Sequence, residues 1–122
     1  MSEEAKLNFK FNFVLGDSKW SKRIAALKID QLTAVRVSGV QTIATAAEAI
    51  AMGDVTVAGL SYFRNLDEDN NILIGFDDGG FIDFLELEPG EFAFMRLSVN
   101  APYAISLVAA CELEYCIFQR NP

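Results

Sequence analysis

At 122 residues, 52% of them hydrophobic and 22% charged, the chain matches the size of one domain core and is too apolar for a disordered segment. Seventeen acids against ten Lys and Arg leave a formal net charge of -7. That charge disfavours phosphate backbones and anionic bilayers, so neither nucleic acid nor membrane is expected as a partner.

The charges are segregated along the chain. Up to Arg36, seven Lys and Arg stand against four acids; beyond it, three arginines stand against thirteen. Every lysine lies in the first segment. The expected organisation is a single β domain, with a basic N-terminal strand or arm over residues 1–40 and an acidic body over residues 41–122. Such segregation is either an accident of a loosely constrained surface or the mark of one copy's basic stretch meeting another copy's acidic body. The start, Met1-Ser2-Glu3-Glu4, places acids where a secretory leader carries lysines. No apolar run approaches the roughly 18 residues of a bilayer span.

Between Lys6 and Val14, Leu7, Phe9, Phe11 and Phe13 alternate with Lys6, Asn8, Lys10 and Asn12. This period of two predicts a half-buried strand, closed by Gly16-Asp17-Ser18. Lys19 to Lys28 reads two ways: Trp20, Ile24 and Leu27 suit a helical stripe, while the segment is short enough for a loop anchored by Trp20. Thr33, Val35, Val37 and Ile43 are β-formers within Gln31–Ala44. Thr45 and Glu48 have the spacing of a capping box, and the Ala-rich run to Met52 before Gly53 predicts one short helix.

From Ala58 onward successive strands are expected over Gly59–Asn65, Asn71–Phe76, Phe81–Leu87, Phe92–Leu97, Tyr103–Val108 and Cys111–Phe118. Asp77-Asp78-Gly79-Gly80 predicts a hairpin turn, and Glu88-Pro89-Gly90-Glu91 a type II turn. Seven or eight short strands at regular spacing predict an all-β sandwich or a jelly-roll-like barrel. Phe81–Leu87 and Phe92–Leu97 carry apolar residues on both faces, although a two-layer sandwich buries one face per sheet. Their second faces require cover from the predicted helix, a loop or another subunit.

Chemistry is restricted by the absence of histidine, which removes Ser-His and Cys-His nucleophile systems and most zinc sites. Asp83, between Phe81 and Leu85, is the strongest acid–base candidate if buried; a turn hydrogen bond or a pair with Arg96 or Arg64 is the simpler role. Asp67, Asp69, Asn71 and Asp78 match four ligand positions of a calcium loop, but Ile72 stands where that loop needs Gly. Cys111 and Cys116 fall on opposite faces of one strand and miss the C-x-x-C spacing, which predicts two buried thiols without a bridge. No catalytic residue, metal or cofactor is expected. Interaction is assigned to Phe9, Phe11, Phe13, Phe92 and Phe94, with Lys19, Lys22 and Arg23 as the basic contact. The first strand could also be exchanged with a neighbour's sheet edge.

Gln41 to Thr45, Glu48-Ala49-Ile50, Gly53-Asp54-Val55, Tyr62 to Asp67, Asn71 to Gly75, Leu85 to Glu91, Arg96-Leu97 and Leu113-Glu114-Tyr115 together resemble small virion structural proteins of tailed bacteriophages. The resemblance spans about residues 40–118. It implies that Asn65 and Asp67 fix a hairpin, while Asp83 departs from the more apolar or neutral strand usual before the Pro-Gly turn. It further implies a non-enzymatic virion protein, made in the host cytoplasm. Such a protein would self-associate as a trimer or ring and bind the major capsid protein as a decoration or cement protein. A tail or neck component, partnered by tail proteins, is the alternative within that class; a module binding a glycan or peptide is the alternative outside it.

Overall fold

The N-terminal alternation becomes a strand in the computed structural model, which describes residues 5–122; the acidic start, Met1 to Glu4, lies outside them. The strands in chain order are β1 (Ala5–Leu15), β2 (Ser18–Ile29), β3 (Arg36–Ile43), β4 (Glu48–Ala49), β5 (Ala58–Asn65), β6 (Ile72–Asp77), β7 (Phe81–Leu87), β8 (Phe92–Arg96), β9 (Tyr103–Ser106) and β10 (Cys111–Gln119). There is no helix among the described residues. Two compact units emerge, divided between Leu32 and Thr33. The border lies earlier than residue 40 because β3 is paired along its length with β10 and therefore belongs to the second unit.

The first unit is an antiparallel hairpin of β1 and β2. Its two-residue turn, Gly16-Asp17, joins Leu15 to its partner Ser18, and Gly16 adopts φ 57°. A glycine at the first central position is the requirement of a type II′ turn. The register shifts once, between Leu7 and Phe9. There Ala26 takes φ 54°, and its N–H donates to Asn8 Oδ1 at 2.8 Å.

The second unit is a β-sandwich. One sheet has the order β3-β10-β5-β8 and the other β4-β9-β6-β7. Ile43, Phe63, Leu113 and Ile117 from the first sheet meet Ile72, Ile74, Leu87 and Ala104 from the second in one core. In β10, Cys111, Leu113, Tyr115 and Ile117 are buried, whereas Glu112 is exposed and Glu114 half-buried. This is the alternation anticipated from the sequence. Full burial of a Phe such as Phe63 is worth about 3–5 kcal/mol against truncation to Ala.

Two expectations are corrected. Thr45–Met52 is not helical but a bend at Thr45 and Ala46 leading into β4, because its polar backbone groups find partners that a helix would not use. Gln41 Oε1 accepts from the Ala51 N–H at 2.8 Å, Gln41 Nε2 donates to the Ala49 carbonyl at 3.0 Å, and the Ile50 N–H donates to the Pro102 carbonyl at 3.1 Å. Glu48 does reach back, accepting from the Ala44 N–H at 2.7 Å, but it closes a turn and no helix follows. The second correction concerns Lys19–Lys28, which is neither helix nor anchored loop but lies within β2.

Candidate interaction surface

Register decides which hairpin side chains share a face. Leu7 lies opposite Leu27, Phe9 opposite Ile24, Phe11 opposite Lys22 and Phe13 opposite Trp20. These residues form one face, on which Phe11 and Trp20 rings sit 5.5 Å apart. Phe9, Phe11, Phe13, Trp20, Ile24 and Leu27 are each between 38% and 56% exposed. The opposite face sets Lys6 against Lys28, Lys10 against Arg23 and Val14 against Lys19. Like charges directly opposed across two strands repel, so an anionic neighbour would relieve strain within this ribbon.

The three hairpin phenylalanines assigned to interaction, Phe9, Phe11 and Phe13, therefore stand together, but the basic trio does not. Lys22 projects with the aromatic residues, while Lys19 and Arg23 project from the cationic face. The odd spacing that sets Lys22 apart from Lys19 and Arg23 is invisible as long as this stretch is read as a helix or loop.

On the sandwich, Phe92 and Phe94 are on the outward face of β8, beside their β5 partners Arg64 and Tyr62. Phe92 is 61% exposed and its ring centroid lies 6.3 Å from that of Tyr62; Phe94 is half-buried. Tyr62 donates its hydroxyl to Glu114 at 2.8 Å. Burial, then the carboxylate of Glu114, pushes the Tyr62 phenol above its ordinary pKa. Cys116 is half-buried on this face and free, and burial raises its thiol pKa; Cys111 is free and buried in the core.

The second sheet has a different electrostatic character. Between Arg64 and Arg96 the chain carries nine acids and no lysine or arginine. On β7 the side chains of Ile82, Asp83, Phe84 and Glu86 are exposed, while Leu87 is buried and Leu85 packs against the core. A bulge causes this. The partners of Ile74 and Gly75 are Leu85 and Asp83, so Phe84 is the extra residue. Phe84 is partly exposed at this border strand and stacks on Phe76, with centroids 6.5 Å apart. Asp83 is accordingly exposed and loses the burial on which its acid–base candidacy depended.

The acidic tip after β5 is a structural knot. Asn65 is fully buried; its Nδ2 donates to the carbonyls of Asn70 (2.8 Å) and Leu87 (3.0 Å), and its Oδ1 accepts from the Asp67 N–H. Asp67 Oδ2 accepts from the N–H groups of Asp69 and Asn70 at 2.9 and 2.7 Å, which holds its carboxyl pKa below the usual range. These carboxylate contacts close the turn and do not converge on a cation site. Nor do three His, Cys, Asp or Glu residues cluster as metal ligands anywhere among the described residues. Sequence reasoning missed β2 and the acidic border at β7, although the run of nine acids without a cation was a usable signal for the latter.

Comparison of the chain with protein-family models, with curated proteins and with solved structures returns no match.

Proposed function

We propose that this chain is a non-enzymatic structural subunit of a bacteriophage particle, one that self-associates and binds the capsid shell as a decoration or cement protein. The observation that carries this reading is the hairpin: a ribbon with one aromatic face exposed along its length and a cationic face behind it. A lone two-stranded ribbon is marginally stable in water, so a surface built this way gains most by being covered. Charge layout adds a partner of the right sign. The hairpin unit carries six Lys and Arg against two Asp among its described residues, and residues 33–122 carry four Arg against thirteen acids. Many equivalent contacts of this kind sum through avidity around a shell, even where each is weak. The resemblance of residues 40–118 to virion structural proteins supplies the setting.

The reading is tested by light scattering on the purified chain, followed by co-sedimentation with shells of the major capsid protein. A defined oligomer at micromolar concentration that pellets with the shells is the expected result. A strict monomer that ignores the shells and binds a glycan would replace this role with that of a ligand-binding module.

A further inference from the structure

We infer that the β1–β2 hairpin of one copy pairs edge to edge, through β2, with β7 of a second copy, which sets its aromatic face alongside Ile82 and Phe84 and its opposite, cationic face alongside Asp83 and Glu86. This contact rests on the self-association proposed above and names its two surfaces.

The sandwich has four border strands, and three of them suit the hairpin poorly. β3 carries Arg36, β8 carries Arg96, and β4 is only two residues long. β7 has β6 as its one neighbour among the described residues, is seven residues long, and carries Asp83 and Glu86 without any cation. β2 runs without irregularity from Ser18 to Ile24, a stretch of matching length, before the bulge bends it. That stretch includes Lys19, Lys22 and Arg23.

Both kinds of complementarity fall on the same strand. Ile82 and Phe84 are 44% and 41% exposed, and Phe76 stacks behind Phe84 to make the apolar surface continuous. Asp83 and Glu86, opposite Gly75 and Leu73, lie on the other face of β7 from Ile82, so an added β2 meets apolar side chains on one face and acids on the other. The same acids repel another β7, which discourages symmetric edge pairing and leaves a cationic ribbon as the favoured neighbour. Hairpin and border are different surfaces, so the contact is head-to-tail. It closes into a ring or runs on as a filament.

Two full-length variants test the contact: Lys10→Glu with Arg23→Glu, and Asp83→Lys with Glu86→Lys. Sedimentation velocity at low salt should show each variant dissociating, with the apparent Kd raised at least about tenfold over the unmodified chain. Mixing the two should restore assembly, because each then offers a surface of the sign the other needs. Circular dichroism on the milder pair Asp83→Asn with Glu86→Gln separates lost contact from lost fold; this pair should remain folded and still weaken association. If both reversed variants assemble as the unmodified chain does, the hairpin sits elsewhere or on a foreign protein, and the inference fails while self-association stands. If each variant dissociates but the mixture does not recover, hairpin and β7 do not meet, and the inference fails again. An unmodified chain that is monomeric at every concentration removes the self-association reading itself.

Discussion

Asn65 shows how one buried polar side chain can organise a cluster of turns. Its amide joins the end of β5 to the Asn70 carbonyl and to Leu87 at the end of β7, while its oxygen starts the turn through Asp67. Its backbone is occupied as well: the N–H donates to the Glu91 carbonyl and the carbonyl accepts from the Gly90 N–H. Truncation to Ala would remove a donor from the buried Leu87 carbonyl and the half-buried Asn70 carbonyl, and the acceptor of one turn amide. Asn65→Ala is expected to destabilise the sandwich by about 2–4 kcal/mol, measurable as a shift of the urea midpoint with little change in slope. A loss below about 0.5 kcal/mol would mean that water replaces the amide without cost. Arg120 plays a comparable part at the opposite end of the chain, its guanidinium donating to the carbonyls of Ala58, Leu97 and Val99. It is therefore a tie between the start of β5 and the loop after β8, not an exposed basic group.

Bulges account for most of the difference between what the sequence foretells and what the elements do. In β2, Trp20, Ile24 and Leu27 are spaced by four and three, which is the signature of a helical stripe. The extra residue near Ala26 produces the same spacing in a strand, since it returns Leu27 to the face that Trp20 and Ile24 share. In β7 the second bulge exposes Phe84 and Asp83 together, something strict alternation cannot express. Most strands of the body from β5 onward were legible, because Gly, Pro, Asn and Asp mark the turns between β5, β6, β7, β8 and β9; Phe81–Leu87 was anticipated to the residue. The false helix at Thr45–Met52 has a different origin, in tertiary hydrogen bonds from Gln41 that local pattern does not reveal. The β7 bulge also depends on Gly75, where a Cβ would stand 2.0 Å from the Ile82 carbonyl oxygen. Gly75→Ala should force the two backbones apart at a cost of about 1–3 kcal/mol. It should also lower the protection of β6 and β7 amides relative to β5 and β10. Unchanged exchange in all four strands would show that the bulge adapts freely.

The whole molecule shows an imbalance: a sandwich with its own core, and a hairpin on which Phe9, Phe11, Phe13 and Trp20 are all exposed. Under the proposed self-association, segregated charge gives the imbalance a direction, from the cationic ribbon of one copy toward the acidic border of another. Association of this kind weakens as salt screens it over about 10 Å at 0.1 M. The most direct measurement is amide hydrogen exchange across a concentration series spanning assembly. Amides of β1 and β2 should exchange fast in dilute protein and slow by at least about tenfold as copies associate, while β5 and β10 keep the same protection throughout. Equal protection of β1 and β2 at every concentration, or fast exchange in the assembled state, would contradict the account.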